Sequence, residues 1–407
     1  MDTIIKPPKY VREIMKVLEQ RGHSTYLVGG CTRDMLLGSM PNDWDLATTA
    51  TPDQVSSLFE KTENAGITHG TVKVCVSRGK KVEVTTLRRE EGYSDHRRPD
   101  TVTYISDLTE DLSRRDFTIN AIAIPLNGII MDPFGGRGDL EGQIIRTVGY
   151  PVHRFSEDAL RMFRAYRFAA KLGFNLDPGT AHAISVCAHL ASALSVERLR
   201  VEIDKILRSK NPHVMYHLIS SGLLGQYLTG RDISSAQLNN LNLIAGNKLM
   251  RWAAFCALLD KNGLIRSPHH LLQALKLDGV SQSTIQIGIE LADSNLPGDR
   301  RDWKLLLHKY GQNTMKCAAA AADVISGTPD NQKQLQTVIK SGECFTLKRL
   351  AINGDDLIAL GYHPGIAIGR ELDNLLAHVI DFPIDNKRSV LITRAIYSLN
   401  SRQVGIK

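Results

Sequence analysis

The chain has 407 residues and a formal net charge of +7, too long for one ordinary domain and mildly basic, which fits a nucleic-acid partner without demanding one. A hydrophobic fraction of 43% supports folded cores, while the absence of any run of eighteen apolar residues excludes a typical membrane-spanning helix. Met1–Lys9 lacks the apolar centre of a signal peptide, so a cytoplasmic protein is expected, and six scattered cysteines without a C-x-x-C pair argue against a disulfide framework or a zinc site.

In chain order, residues 8–22 place Val11, Ile14, Val17 and Leu18 at helical spacing and end at Gly22, which predicts a helix. Thr25–Val28 reads as the first strand. Gly29-Gly30 then forms a strand-to-helix turn, a place where backbone N–H groups can cradle an anion, and Arg33 adds a cation one turn on. In Asp43-Trp44-Asp45 the period of two puts both carboxylates on one face of a strand, a donor pair suited to a hard divalent cation such as Mg²⁺. Thr51 is a candidate N-cap for a helix carrying Val55, Leu58 and Phe59. Thr71–Val76 and Lys81–Thr86 alternate as two strands, with Glu83 on the second. Residues 88–103 are dense in charge and without apolar period, so a mobile surface loop is expected there.

After the GG-to-DxD stretch, a second motif lies at 113–123 and a third at 131–140. Ser113–Ala123 holds Arg114, Arg115, Asp116 and Asn120, and forked guanidinium donors suit phosphate oxygens. Met131–Leu140, with turns at Pro133 and Gly135-Gly136, reads as structural glue. Arg154–Phe174 predicts one helix with Ser156 as N-cap and Gly173 as its end, placing Asp158 and Arg161 three apart on one face with Arg164 and Arg167 continuing the ridge. Ser195–Leu207 predicts an amphipathic helix with a capping-box-like start, and His213–Leu228 a further helical stretch. Helical segments are expected at Gln237–Leu243, Met250–Leu259, Trp303–Tyr310 and Met315–Ile325, with no catalytic constellation. Residues 349–380 read as a helical hairpin, in which Gly369-Arg370 is placed to approach an RNA phosphate. No internal repeat or low-complexity tract occurs.

The pattern GG-x-x-RD followed about ten residues on by D-x-D resembles the nucleotidyltransferase signature of the polymerase-beta superfamily. The text after it resembles the class II tRNA nucleotidyltransferase (CCA-adding) and bacterial poly(A) polymerase family, strongly from Tyr26 to Leu228 and more weakly in the C-terminal fifth. The resemblance implies an α+β fold: a polymerase-beta-like head with a small mixed sheet at 1–150, then an all-α neck at 151–230, body at 231–330 and tail at 331–407. It implies catalytic carboxylates at Asp43 and Asp45 holding two Mg²⁺ ions. Glu83 is then either a third catalytic carboxylate or a solvent-facing glutamate. It carries nucleotide binding onto Gly29, Gly30, Arg33, Asp34, Arg114, Arg115, Asp116 and Asn120, and onto Glu157, Asp158, Arg161, Arg164 and Arg167. The His69-Gly70-Thr71 triplet is similar to the family's text and is read as structural. Arg97-Arg98-Pro99 stands in the form kept by CCA- and A-adding members, which disfavours a CC-only activity.

EDALR at 157–161 is similar to the family's nucleotide-reading motif, which makes Asp158 and Arg161 the base readers, with Glu157 holding Arg161. Their chemistry suits that role. Cytosine and adenine both present an exocyclic amine donor beside a ring-nitrogen acceptor, whereas uracil and guanine present the reverse. A carboxylate beside a guanidinium therefore accepts C and A and leaves unpaired groups against U and G, at about 1–3 kcal/mol per buried group. The expected activity is template-independent addition of C, C and A to the 3′ end of tRNA from CTP and ATP, with the acceptor stem and elbow as RNA partners, no membrane, and a monomer or homodimer. The alternatives are an A-adding-only enzyme, a poly(A) polymerase and, remotely, an inactive RNA-binding relative.

Overall fold

The structure is a computed structural model, and the residues described are 6–66, 70–76, 79–93, 99–294 and 296–404. The chain divides into two compact units, residues 1–231 and 232–407.

The first unit opens with α1 (Lys9–Gln20), whose apolar spacing buries Val11, Ile14, Met15 and Leu18. Then come β1 (Thr25–Val28), α2 (Gly30–Leu36), β2 (Asp45–Thr48), α3 (Pro52–Leu58), β3 (Thr62–Gly66), β4 (Thr71–Cys75) and β5 (Lys81–Thr86). Thr51 caps α3 in a full capping box with Gln54. With β8 (Ala123–Pro125), six strands form one mixed sheet in the order β3-β4-β5-β2-β1-β8, in which β2 and β5 are the parallel pair. On β5, Val82, Val84 and Thr86 point inward while Lys81, Glu83 and Thr85 point away, the alternation that the sequence predicts. One face packs Leu27, Leu46, Val72, Val74, Val82 and Val84 against α1 and Val55 of α3. Each such side chain contributes about 1.5–3 kcal/mol on burial. On the other face Val28, Ala47, Ala121, Ala123 and Val148 gather with Leu108 and Leu112 of α4 (Leu108–Ser113).

Two expectations are corrected here. Residues 88–103 are not a featureless loop: β6 (Arg88–Glu91) and β7 (Thr101–Tyr104) pair antiparallel as a ribbon, while Arg97-Arg98 and His69 lie outside the described residues. The ribbon lacks apolar period because its inward positions are the ion-paired Arg88 and Glu90. The predicted helix at 154–174 is two: α6 (Pro151–Glu157) and α7 (Leu160–Leu172), separated by an extended Asp158 with φ −139° and ψ 102°. Ser156 is no N-cap; its hydroxyl donates to the Val152 carbonyl within α6 at 2.9 Å. Gly173 does end α7, in the left-handed region at φ 76°.

Between β8 and α6 lies α5 (Gly136–Glu141), where Asp132 accepts from the Gly136 and Arg137 amides and Asp139 accepts from the Thr118 hydroxyl. The Asp132 bonds close the third motif on itself, and the Thr118–Asp139 bond ties it to the second, as its reading as structural glue expects. The unit continues through α8 (Pro178–Cys187), α9 (Val196–Leu207) and α10 (Met215–Ser220). Ser195 precedes α9 without a side-chain capping bond, and the stretch at 213–228 is helical through a 3-10 turn at Pro212–Val214 and α10 before Gly222 turns it at φ 86°.

The second unit is helical: α11 (Ser235–Asn239), α12 (Lys248–Lys261), α13 (Pro268–Ala274), α14 (Gly279–Asp293), α15 (Arg300–Ser326), α16 (Asp330–Lys340), α17 (Gly354–Ala359), α18 (Ile366–Asp381) and α19 (Arg388–Val404). The two segments predicted at 303–310 and 315–325 run together as α15, interrupted by a non-helical Gly311 at φ 78°. Asn353 caps α17 through a capping box with Asp356, and Leu357, Leu375, Leu376, Val379 and Leu391 close a core of their own. Among the described residues no helix is long and apolar enough to cross a membrane.

Candidate active site

β1 ends at a turn with Gly29 at φ 73°, a conformation that favours glycine, and a Cβ there would stand 3.2 Å from Arg115 Nη1. That turn forms one wall of a cleft of about 620 Å³ within the first unit. Nine cationic side chains line it against four carboxylates, a composition suited to a polyanion.

The sheet register sets the floor. Asp45 opens β2 directly beside Glu83 of β5, and Glu83 lies beside Lys73 of β4, so the three share one face in a row. Lys73 holds Glu83 in an ion pair at 2.8 Å. Asp43 is exposed in a bend before β2, which corrects the expectation that both aspartates sit on the strand; Trp44 between them is buried. Burial, together with the Glu83 and Asp43 charges, pushes the Asp45 carboxyl up to about 6 against the opposing Arg115 and Arg33. Glu83 thus stands beside Asp45 while its carboxylate is engaged by Lys73. Asp43 lies close enough for its charge to act on Asp45, and two such carboxylates suit Mg²⁺, which draws its other ligands from phosphate and water.

Behind Gly29, the second motif is held by a relay. Asp34 accepts from Arg33 Nε and Nη2, and Arg33 Nη1 donates to Asn120 Oδ1 at 2.7 Å. Asn120 Nδ2 donates to Asp116 Oδ1 at 3.1 Å, and Asp116 Oδ2 accepts from Arg164 Nε at 2.8 Å. Burial alone raises the Asp116 carboxyl, but the Arg164 charge and the bonds from Asn120 and Arg164 outweigh it and hold it at about 2. Asp34, Asn120 and Asp116 thus orient arginines. Arg115 differs: it gives one bond to Asp111 at 3.2 Å, and its buried Nε has no partner among the described residues. Arg33, Arg164 and Arg167 all lie over the Phe168 ring, Arg167 at 4.2 Å from its centroid.

Asp158 and Arg161 come from the break between α6 and α7. Asp158 accepts from the Leu160 amide at 3.1 Å and from Arg198 Nη2 of α9 at 3.0 Å. Arg161 is 8% exposed; its Nη1 donates to Glu157 and to the Arg154 carbonyl, and its Nη2 to the Arg114 carbonyl at 3.0 Å. Since guanidinium carries five N–H groups, Nε–H and one Nη2–H stay open among the described residues. Gly29, Gly30, Arg33, Asp45, Arg114, Arg115, Asp116, Asn120, Asp158, Arg161, Arg164 and Arg167 all line the cleft. Asp34 and Glu157 stand behind it as supports, and Asp43 and Glu83 flank Asp45.

Sequence reasoning missed Arg198, which grips Asp158, and Glu202 of the same helix, which pairs with Arg167 at 2.6 Å. It also missed Lys171 and Phe168. The spacing of Arg198 and Glu202, one turn apart on a helix read as amphipathic, is the signal that was available.

Residues 25–146 match the family described as "Poly A polymerase head domain", 173–230 that described as "Probable RNA and SrmB- binding site of polymerase A", and 247–395 that described as "tRNA nucleotidyltransferase domain 2 putative". The chain is 37% identical over 396 residues to the CCA-adding enzyme of Limosilactobacillus fermentum, covering 94% of this chain and 95% of that one. It is 38% identical over 384 residues to the CCA-adding enzyme of Geobacillus sp. WCH70, covering 92% and 93%. The crystal structure of the Bacillus stearothermophilus CCA-adding enzyme in complex with CTP superposes with a TM-score of 0.78 at 34% identity, over 98% of this chain and all of that one. The chain belongs to the CCA-adding enzyme family of tRNA nucleotidyltransferases.

Proposed function

We propose that this protein adds C, C and A to the 3′ end of tRNA from CTP and ATP, releasing pyrophosphate at each step. The observation that carries the reading is the presence, in one cationic cleft, of Asp45 at one place and the Asp158/Arg161 pair at another. A triphosphate lying along Arg115, Arg164 and Arg167 would present its base to the pair. Asp158 would accept from the exocyclic amine of C or A, while an open N–H of Arg161 would donate to the ring nitrogen. The RNA 3′-hydroxyl would attack the α-phosphate from the side of Asp43 and Asp45. Divalent metal use goes with the family; Asp43 and Asp45 are the residues that would hold Mg²⁺, and we assign them two ions. When bound, such ions activate the hydroxyl and neutralise the leaving phosphates. Arg115, with its orphan Nε, adds preorganised positive charge beside Asp45. Acting on tRNA, the protein would work in the cytoplasm.

Three tRNA transcripts, ending before CCA, after C and after CC, test this with Mg²⁺ and CTP, ATP or both, the products being sized to one nucleotide. Completion of all three to CCA, followed by arrest, is expected, and Asp43→Ala or Asp45→Ala abolishes it. A single A added only to the CC-ended transcript would make the enzyme A-adding, and long A tracts would make it a poly(A) polymerase.

A further inference from the structure

The two adjacent arginines of the second motif have opposite surroundings. Arg115 faces the cleft with an orphan donor, whereas Arg114 is spent on the protein. Arg114 Nε donates to Asp111 Oδ1 at 3.0 Å and to the Arg88 carbonyl at 3.1 Å. Nη2 donates to Asp111 Oδ1 at 2.6 Å and Nη1 to Glu90 Oε1 at 3.0 Å. Glu90, on β6, is only 7% exposed in its side chain; it also accepts from Arg88 Nε at 2.7 Å and from the Tyr93 hydroxyl at 2.6 Å. On its main-chain side, the Arg114 carbonyl accepts from Arg161 Nη2.

We propose that Arg114 is a positioning residue that fixes the base-reading arginine, with Glu90 of the ribbon as its anchor, and that it is not a phosphate ligand. The argument is geometric. Arg114 keeps as many N–H groups open as Arg161 does, but two of its partners are the buried carboxylates of Asp111 and Glu90, which neutralise its charge and make it a poor partner for a triphosphate. The same bonds fix the torsions of residue 114, and so the direction of the carbonyl that carries Arg161. A shift of a few tenths of an ångström there re-aims the N–H groups left open for the base, and hydrogen-bond discrimination falls steeply with angle. Glu90 and Tyr93 therefore act on base choice without touching the nucleotide. The inference rests on Asp158 and Arg161 being the base readers.

Full-length Glu90→Gln, Arg114→Lys, Tyr93→Phe and Asp158→Ala proteins are compared for the ratio of CMP to UMP incorporation and for KM against kcat with CTP. Inhibition by inorganic tripolyphosphate in Mg²⁺ is measured alongside. Glu90→Gln should lower the CMP/UMP ratio about tenfold, the loss of one charge-assisted bond. Tyr93→Phe, which removes a single hydroxyl and keeps the fold should Glu90→Gln fail to, should lower it about threefold. Tripolyphosphate inhibition should stay within about twofold in both, and Arg114→Lys should follow the base-choice pattern. A tenfold weaker tripolyphosphate inhibition in Arg114→Lys with base choice intact would make Arg114 a phosphate ligand and overturn the proposal. Unchanged base choice in Glu90→Gln and Tyr93→Phe, with base choice relaxed in Asp158→Ala, would overturn the coupling alone. Unchanged base choice in Asp158→Ala would overturn the reading of the base pair itself.

Discussion

Asp45 sits in an electrostatic conflict, with burial and two acidic neighbours opposing its ionisation and two arginines favouring it. Its carboxyl is pushed to about 6 by burial and by the neighbouring Glu83 and Asp43, while an unfolded aspartate titrates near its ordinary value. Between the two values the folded chain binds more protons at this site than the unfolded chain does. Its contribution to stability is therefore greatest below about pH 4 and is lost as pH rises through about 6. A divalent cation holds the ionised form and relieves that loss. Mg²⁺ should accordingly raise the melting temperature more at about pH 7.5 than at about pH 5. In Asp45→Asn the metal-free protein should melt higher at neutral pH by a few degrees, roughly the scale of 1 kcal/mol, with no gain from Mg²⁺. Thermal melts at the two pH values with and without Mg²⁺ decide it. An equal Mg²⁺ effect in wild type and Asp45→Asn would move the metal away from this carboxylate.

At the scale of elements, what could be read in the sequence followed from locality. β1, β5, α1 and α3 appear where period and caps predict them because each is specified within its own few residues. The ribbon β6–β7 was hidden because charge fills its inward positions, and Arg88 and Glu90 look like surface until Arg114 arrives from 24 residues further on in contact with Glu90. The break at Asp158 was hidden because the apolar spacing runs through it; the local bond from the Leu160 amide to the Asp158 carboxylate favours the extended turn. The residues that line the cleft were legible in their types, while Arg198 and Glu202 left only their one-turn spacing as a sign, since the packing of α9 against α7 is what brings them in. The third motif is a direct test of element-scale fit. A Cβ on Gly136 would run into the Thr118 backbone carbonyl, which cannot swing away as a side chain would. Gly136→Ala should cost about 1–3 kcal/mol, read as a lower urea midpoint at unchanged slope. A midpoint equal to wild type would mean the turn relaxes freely and the motif does not clamp the segment at 117–123.

Over the whole molecule the charge is modest, 50 lysines and arginines against 43 acidic residues, yet it is unevenly used. Many acids are already committed inside the protein, as Asp116 is to Arg164, Glu202 to Arg167 and Asp111 to Arg114 and Arg115. What remains for RNA is surface cation facing a dense phosphate backbone, and binding of that kind releases counterions. CTP, in contrast, meets a partly buried cleft whose charges are screened less. Raising monovalent salt from about 50 to about 200 mM should therefore weaken tRNA binding by at least tenfold, the response of several phosphate contacts. The KM for CTP, measured at saturating tRNA, should change by less than about threefold. Filter binding of tRNA and initial rates with CTP across that range separate the two. A flat tRNA response would mean that RNA is held by stacking and hydrogen bonds, and would shift the search for its site from the basic side chains to the exposed aromatic and apolar ones such as Tyr150, Ile366 and Tyr397.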